Sequence, residues 1–329
     1  MTVLVTGSAG HLGEAVMRYL RAAGRPSLGL DVKPSPFTDQ VGSICDKRFV
    51  TWCIRSARAV VHAATLHKPH VATHSWQDFI DANVTGTLVL LEAALDAGID
   101  CFVYVSTTST FGLTLTPLGS EPAAWVTENL IPKPKNVYGV SKLMAESLCE
   151  LVHKQRSLPV VVLRTSRFFP EADDNRTIRE QYETANAQAN ELLYRRVDIE
   201  DVVTAVLLAI EKARGIGFAR YIISATTPFT AGDLTMLRRS APQVVHRLFP
   251  ECEGLYAARG WKLFPQIDRV YVNELARTGL SWKPKYDFAH VLECLRANRD
   301  FRSALAREVG SKRYHDTNFP DGPYPVDRA

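Results

Sequence analysis

Short apolar runs alternate with helix-like stretches along the first half of the chain. The apolar runs are rich in β-branched residues and lie at positions 3–6, 27–31, 59–64, 101–106 and 159–164. Runs of this length without polar alternation are typical of strands that are buried on both faces of a parallel sheet. Between them, apolar residues recur at helical spacing over 12–23, 76–97 and 137–155. The alternation predicts βαβ units and an α/β fold built on a doubly wound parallel sheet.

The pattern changes after position 168. Residues 170–196 are polar, charged and helical in character, and a helix predicted over 199–212 with an apolar run at 220–224 returns to the sheet. From residue 225 onward the chain is irregular, with short helices predicted around 232–240 and 288–305. We therefore predict two interleaved domains. Residues 1–167 with about 197–224 form the sheet domain, and residues 168–196 with 225–329 form a smaller, mainly helical, substrate-binding domain.

Composition excludes several classes of protein. The chain has 329 residues, of which 46% are hydrophobic and 22% charged, and it contains no apolar run of the ~18 residues that a membrane helix needs. The net charge of +4 comes from 39 basic and 35 acidic residues spread along the chain, so we expect neither nucleic acid nor a membrane as a partner.

Six cysteines stand far apart without a C-x-x-C pair, which predicts reduced thiols in a cytoplasmic protein. The predicted first strand begins at Val3, so we expect no signal peptide.

A glycine-rich turn, TGSAGHLG at positions 6–13, joins the first predicted strand to the first predicted helix. Gly7 permits a tight turn, Gly10 lets the backbone approach a pyrophosphate, and Gly13 allows close packing of helix and strand. The helix N-terminus offers free N–H groups and its positive dipole end to phosphates. The other cofactor-binding candidates of the loop are Ala9, His11 and Leu12. The placement predicts a dinucleotide site; the alternative is a glycine-rich turn without a ligand.

The second predicted strand ends in Asp31, eighteen residues after Gly13. A carboxylate at this position accepts hydrogen bonds from both ribose hydroxyls and repels a 2′-phosphate, which favours NAD over NADP. Lys33 stands two residues further on and weakens that preference, so NADP is not excluded. The alternative for Asp31 is a turn residue that ends a strand.

Tyr138 and Lys142 stand four residues apart in the helix predicted over 137–155, so their side chains share one face. A neighbouring ammonium stabilises a phenolate and lowers the pKa of the tyrosine, which makes it a usable general acid and base. The strand predicted over 101–106 ends in the hydroxyl residues Ser106, Thr107 and Thr108, at the sheet edge where ligands bind. A hydroxyl there holds a substrate oxygen while hydride moves. The alternative for the Tyr-x-x-x-Lys pair is a solvated helix face.

Taken in this order, the motifs resemble the extended short-chain dehydrogenase/reductase family, of the NAD-dependent epimerase/dehydratase type. The resemblance covers residues 1–225 and resumes weakly in ARTGLSWKP at 276–284, which is similar to the family's LGW-x-P segment. It implies a Rossmann-type dinucleotide-binding domain, an enzyme with NAD as cofactor, and a homodimer formed through the helices predicted over 76–97 and 137–155.

The resemblance also implies roles for individual residues. Tyr138 is the acid/base, Lys142 binds the nicotinamide ribose and tunes Tyr138, and Thr107 takes the place of the catalytic Ser/Thr. Ser106 and Thr108 remain alternatives to Thr107, and Ser106 is also a cofactor-binding candidate. The remaining cofactor-binding candidates are Asp46 at the adenine, Ala63 and Ala64 in the strand-end segment HAA, and Asn83 in NVTGT.

Departures from the family pattern bear on the substrate. Thr108 and Ser109 stand where dehydratases carry an Asp-Glu pair, and Arg167 replaces an asparagine that helps to hold a nucleotide diphosphate. The segment around Pro170 and Arg176 is similar to uronate dehydrogenases, in which an arginine holds the sugar carboxylate. The substrate-binding candidates are therefore Thr107, Thr108, Arg167 and Arg176. We expect the arginines of 164–196 to bind an anionic substrate; the alternative is a solvated basic surface or structural ion pairs with Asp173, Asp174, Glu180 and Glu200.

Four histidines crowd one segment: His62, His67, His70 and His74. No cysteine or carboxylate ligand is close in sequence, so we predict a polar loop over the active-site mouth and no metal site. We predict an enzyme that transfers hydride at a carbinol carbon of a sugar or nucleotide-sugar, of the epimerase type. The alternatives are a net dehydrogenase or reductase of a uronate-like sugar or another alcohol or ketone, and a non-catalytic protein that senses the cofactor.

Overall fold

The apolar runs of the sequence become the strands of one large sheet. The computed structural model describes residues 1–119, 121–312, 315 and 319. Within these residues the strands are β1 Val3–Thr6, β2 Ser27–Asp31, β3 Gln40–Val41, β4 Ala59–His62, β5 Cys101–Thr107, β6 Ala124–Val126, β7 Val160–Thr165, β8 Phe218–Ile223 and β9 Arg269–Tyr271. Seven of them pair in parallel in the order β3-β2-β1-β4-β5-β7-β8. The chain builds outward from β1 in both directions, which confirms the predicted doubly wound sheet.

Helices cover both faces of this sheet. In the described residues they are α1 His11–Ala22, α2 Lys47–Ile54, α3 Trp76–Phe79, α4 Gly86–Asp96, α5 Val137–Arg156, α6 Arg176–Gln181, α7 Thr184–Glu191, α8 Ile199–Ile216, α9 Leu234–Leu248, α10 Cys252–Ala257, α11 Glu274–Gly279, α12 Phe288–Arg296 and α13 Ala304–Val309. Val3 and Val5 of β1 pack against α1 and α8, whereas Leu4 packs against α2, α4 and α5. Because both faces are covered, the strands lack the polar alternation of half-exposed ones.

The structure corrects several predicted elements. The helix predicted over 76–97 is α3 and α4 joined by a π-helical segment, Ile80–Thr85. The helix α2 and the strands β3, β6 and β9 were not predicted. β6 and β9 have three residues each and pair in parallel as a separate sheet, with Ala124 opposite Arg269. Strands this short carry too few residues for a periodic pattern, and their partner lies more than a hundred positions away.

A second apolar cluster forms the core of the mainly helical part of the chain after residue 181. Its members include Tyr182, Leu237, Phe264 and Phe288, and Ala123 from the first half packs among them. The division into two domains stays a prediction, and its residues beyond Phe319 lie outside the described ones. Within the described residues, no helix has the length and apolar character needed to cross a bilayer.

The helices predicted to form a dimer interface expose apolar side chains. These are Trp76 of α3, Leu88 of α4, and Val140, Met144 and Leu151 of α5. Exposed apolar residues on neighbouring helices are typical of surfaces that bury against a partner. The homodimer itself stays a prediction.

Candidate active site

The turn between β1 and α1 is a cradle that only glycine can form. Gly7 has a φ of +76°, and a Cβ at this position would lie 2.6 Å from the backbone nitrogen of Ala64. A Cβ on Gly13 would lie 1.9 Å from the carbonyl oxygen of Gly7, so α1 packs directly on the turn. Gly10 caps α1 without a side-chain hydrogen bond, and its N–H donates to the Gly7 carbonyl at 3.0 Å. The N-terminal N–H groups of α1 therefore lie beside an unobstructed backbone surface.

A cavity of about 490 Å³ runs from this turn across the carboxyl ends of the central strands. It is lined by these predicted cofactor residues: Gly7, Ala9, Gly10, His11, Leu12, Gly13, Asp31, Ala63, Ala64, Ser106, Tyr138 and Lys142. The cradle and the acidic residue at the end of β2 fit the pyrophosphate and the ribose of a dinucleotide. The site that the sequence predicts from separate motifs is thus one continuous cavity.

The Asp31 carboxylate is held at the edge of this cavity by the backbone. Its Oδ2 accepts a hydrogen bond from the Ala9 N–H at 3.0 Å, and its Oδ1 accepts one from the Lys33 N–H at 2.9 Å. Each oxygen keeps a further lone pair for a ribose hydroxyl. The same charge opposes a 2′-phosphate.

Replacing Asp31 with Ser is expected to shift cofactor preference towards NADP. The ratio of NADP to NAD affinity should rise roughly 10- to 100-fold, because hydrogen bonds to a charged acceptor are lost and a like-charge repulsion is removed. The protein is titrated with each cofactor and binding is monitored by its intrinsic tryptophan fluorescence. The two dissociation constants give the ratio. Asp96→Ser, at an exposed position near the end of α4, is the matched control. An unchanged ratio in Asp31→Ser would mean that this carboxylate does not select the cofactor.

Two predicted cofactor residues lie beside the cavity rather than on its wall. The Asp46 carboxylate caps α2, accepting from the N–H groups of Arg48 at 2.9 Å and Phe49 at 3.1 Å. Of the described residues in this stretch, 42–45 line the cavity and Asp46 does not. Its side chain positions the loop that does.

Asn83 is 1% exposed and all its side-chain atoms are engaged within the protein. Its Oδ1 accepts from the Leu66 N–H at 2.8 Å and from the Thr65 hydroxyl at 2.9 Å, and its Nδ2 donates to Ser141 Oγ at 2.9 Å. Asn83 thereby ties the segment after β4 to α5, and its neighbour Ala82 lines the cavity instead.

Thr107, Tyr138 and Lys142 meet at the centre of the cavity. Thr107 ends β5, and Tyr138 and Lys142 lie in the first turns of α5, whose start is capped by Asn136 accepting from the Gly139 N–H at 3.0 Å. The Thr107 hydroxyl accepts from the Ser109 N–H at 3.1 Å and lies close enough to the Tyr138 phenol to lower its pKa. Lys142 Nζ donates to the Val105 carbonyl at 2.7 Å. The structure therefore assembles the three predicted catalytic side chains.

Burial controls the protonation of this group. It raises the pKa of Tyr138 to about 12, and the hydrogen bond from Thr107 lowers it only in part. Burial also lowers the pKa of Lys142 to about 7, against the raising effect of Glu146. The predicted lowering of the tyrosine pKa by its lysine is thus not what the structure shows. The physical reason is that both groups are buried, so loss of hydration opposes the phenolate and the ammonium alike.

Ser106 is less suited than Thr107 to hold a substrate oxygen. Its hydroxyl donates to Glu146 Oε1 at 2.6 Å, and the same buried carboxylate pairs with Arg164 at 2.7 Å and Arg220 at 3.1 Å. Thr108 is buried and lines the cavity. The contact with Tyr138 favours Thr107 among the three candidates.

The structure separates the two predicted substrate arginines. Arg176 lies on α6, 73% exposed and paired with Glu180, and it is not among the described residues that line the cavity. Arg167 does line the cavity, but its guanidinium contacts Asp173 at 2.5 Å, Glu191 at 3.2 Å and Asp174 at 3.5 Å. Arg167 therefore forms the ion pairs given as the alternative, and one of its partners is the buried Glu191, which was not predicted.

Several residues that line the cavity were not predicted, among them Lys68, Ser166, Arg269, Tyr271 and Lys312. The cavity is also lined by His67 and His70 of the predicted polar loop and by Arg195 of the arginine-rich segment. Nothing in the sequence marked Arg269 or Lys312. Lys68 pairs with Asp174, and Lys312 pairs with Glu14 of α1. The rings of His67 and Tyr138 lie 6.5 Å apart, which places the predicted polar loop at the catalytic group.

Comparisons with known proteins identify a family and relatives that this chain resembles. The model of the NAD dependent epimerase/dehydratase family matches residues 3–223. A UDP-glucose 4-epimerase of Rhizobium meliloti is 32% identical over 171 residues, covering 49% of this chain and 50% of that protein. An NAD-dependent glucose-6-phosphate dehydrogenase of Haloferax volcanii is 27% identical over 177 residues, covering 49% and 66%.

Among solved structures, a short-chain dehydrogenase/reductase superfamily protein from Agrobacterium tumefaciens with bound NAD shares the fold. Its TM-score is 0.64 at 24% identity, and the match covers 94% of this chain and 99% of that one. The chain spans about half the length of the curated relatives it matches.

Proposed function

Because the chain belongs to the NAD dependent epimerase/dehydratase family, we propose that it is an NAD-dependent enzyme acting at a carbinol carbon of a sugar or nucleotide-sugar. The leading form of the proposal is an epimerase, which removes hydride from one face of that carbon and restores it to the other. The observation that carries it is the meeting of Thr107, Tyr138 and Lys142 in the cavity that begins at the glycine cradle.

The residues of the cradle would hold the pyrophosphate, Asp31 the adenosine ribose, and Lys142 the nicotinamide ribose. When bound, NAD supplies the acceptor for the hydride that leaves the carbinol carbon. The helix N-terminus and its N–H groups favour the negative charge of the pyrophosphate.

The protein's own groups manage the proton and the oxygen. Tyr138, as phenolate, takes the hydroxyl proton while the C–O bond becomes a carbonyl, and returns that proton when the alcohol is re-formed. Thr107 holds the same oxygen through its hydroxyl. When protonated, Lys142 four residues away would stabilise the phenolate against the burial that raises the pKa of Tyr138 and lowers that of Lys142.

A net dehydrogenase is the second candidate, favoured by the side chains at the far end of the cavity. Arg167, Arg195 and Arg269 gather there, and the likeness to a dehydrogenase of a sugar phosphate supports an anionic sugar. In this form the keto product leaves, and one NADH is formed for each sugar oxidised.

Incubation of the purified chain with NAD and candidate sugars separates the two forms. The epimerase form is expected to interconvert two sugars, as seen by NMR of the products, without steady accumulation of NADH absorbance. The dehydrogenase form is expected to accumulate NADH in step with loss of sugar. If no free or nucleotide-linked sugar is interconverted and none yields NADH, both forms of the proposal are contradicted. That result would favour a cofactor-sensing role.

A further inference from the structure

We propose that the substrate carries an oxyanion, a carboxylate or a phosphate, and that Ser166, Arg195 and Arg269 bind it. The inference deepens the proposed function and rests on it for the identity of the reacting sugar. It concerns the wall of the cavity opposite the glycine cradle.

Strand pairing brings these three residues to the catalytic group. Thr107 of β5 lies opposite Thr165 of β7, so Ser166 follows directly at the same sheet edge. The next residue, Arg167, bridges to Arg196, and its N–H donates to the carbonyl of Arg195 at 3.4 Å. The Tyr271 N–H donates to the carbonyl of Tyr194 at 2.9 Å, which brings β9 and Arg269 to the same wall.

All three side chains have a hydrogen-bond donor without an acceptor. The buried Ser166 Oγ, Arg195 Nε and Arg269 Nε have no partner, and no other described residue that lines the cavity has such a buried polar atom. Buried donors in native proteins are normally paired, because an unpaired one loses its hydration without compensation. Three donors on one wall therefore indicate an acceptor that the described residues do not provide.

Both guanidinium groups are only partly used. The hydrogen bonds that Arg195 makes to described carboxylates come from Nη2 alone, to Asp173 at 3.0 Å and Glu191 at 2.7 Å. Arg269 uses Nη1 alone, on both oxygens of Asp268 at 3.1 and 3.0 Å. Arg269 therefore keeps its Nε–Nη2 edge for the paired oxygens of a carboxylate or phosphate, and Arg195 keeps its Nε for a single hydrogen bond.

The ion-pair network behind this wall has one more cation than carboxylates when Arg196, which does not itself line the cavity, is counted. Four cationic side chains share three carboxylates: Lys68, Arg167, Arg195 and Arg196 pair with Asp173, Asp174 and Glu191. A surplus cation among partly buried side chains attracts an anion more strongly than it would at the surface. A neutral hexose offers hydroxyl groups but no charge to balance it.

Arg269→Met is the variant that tests the inference, because Asp268 is its only charged partner among the described residues and is itself 36% exposed. Removing Arg195 would instead leave the buried Asp173 and Glu191 with fewer cations. Arg296→Met, at an exposed arginine paired with Glu251 on the far helices, is the matched control. Thermal melting confirms that each variant is folded, and Ser166→Ala provides a second, milder variant.

The probes are D-glucuronate, D-galacturonate and D-glucose 6-phosphate, with D-glucose and D-galactose as neutral counterparts. Binding to the NAD-loaded protein is measured by calorimetry in the Tyr138→Phe background, and turnover is measured separately with an intact Tyr138. We expect at least one anionic probe to bind in a salt-sensitive manner. Arg269→Met should weaken that binding roughly 10- to 100-fold, Ser166→Ala should weaken it less, and Arg296→Met should leave it unchanged. A preference for the acids or for the phosphate identifies the oxyanion.

The outcomes distinguish this inference from the proposed function. Arg269-dependent binding of an anion without turnover of any sugar supports the oxyanion site and contradicts the proposed enzyme. Turnover of neutral and anionic sugars at equal efficiency, unchanged in Arg269→Met, overturns the oxyanion site and leaves the enzyme intact. Absence of salt-sensitive binding by every anionic probe also overturns it.

Discussion

Tyr138→Phe is expected to lower turnover by roughly 10²- to 10⁴-fold, the range that a positioned general acid/base contributes. The change removes one oxygen from a ring that is 8% exposed and leaves the rest of the ring in place. The carbinol proton then has no phenolate to accept it. The effect is measured as the rate of hydride transfer with a sugar that the enzyme turns over. That rate is monitored by NADH formation or by exchange of deuterium between sugar and cofactor.

NAD affinity should stay within a few-fold of the original in the same variant, because the cradle and Asp31 are untouched. Tyr19→Phe, on the exposed side of α1, removes a phenol oxygen away from the cavity and should leave turnover unchanged. Full turnover in Tyr138→Phe would remove the tyrosine from the chemistry. It would also revive the alternative of a protein that binds the cofactor without using it.

The second large effect is expected at the glycine cradle. In Gly13→Ala the new Cβ would lie 1.9 Å from the Gly7 carbonyl oxygen, so the turn or α1 must move. Overpacking of this kind lowers the free energy of unfolding by about 1–3 kcal/mol. Because the N-terminal N–H groups of α1 would be displaced, most of the NAD affinity should be lost. Urea denaturation and cofactor titration measure the two effects.

Two further glycines make this test specific. In Gly10→Ala the new Cβ would lie 3.3 Å from the Gly7 carbonyl oxygen, so the fold should survive while the methyl group obstructs the pyrophosphate. Gly215→Ala, in α8 with no atom near the new methyl, should leave NAD affinity unchanged and stabilise the protein by about 0.5–1 kcal/mol. Wild-type NAD affinity in Gly10→Ala would contradict the assignment of the cradle to the cofactor.

The central sheet was predictable because its information is local. Buried parallel strands are short continuous apolar runs, and the helices between them have their own periodicity. The same holds for Gly7, Gly13, Tyr138 and Lys142, whose spacing along one turn or one helix already determines their geometry. Family likeness added Thr107, which spacing alone did not distinguish from Ser106 and Thr108.

The substrate side was much less predictable. Arg167 and Arg176 have the same chemistry and lie nine positions apart, yet one lines the cavity and the other lies on an exposed helix. The shift in the pKa of Tyr138 was also predicted in the wrong direction. Proximity of Lys142 to Tyr138 follows from helical spacing, whereas the depth at which both are buried follows from the packing of α5 against β5.

The sequence by itself therefore determined the doubly wound sheet, the cradle and the Tyr-x-x-x-Lys pair, because each depends on neighbours within a few residues. Only the tertiary structure decided which side chains form the wall opposite the cradle. Ser166, Arg195 and Arg269 belong to three separate segments, which meet because β5 pairs with β7 and the distant β9 pairs with β6. Pairing between remote strands is set by the packing of the whole chain, and no local pattern encodes it.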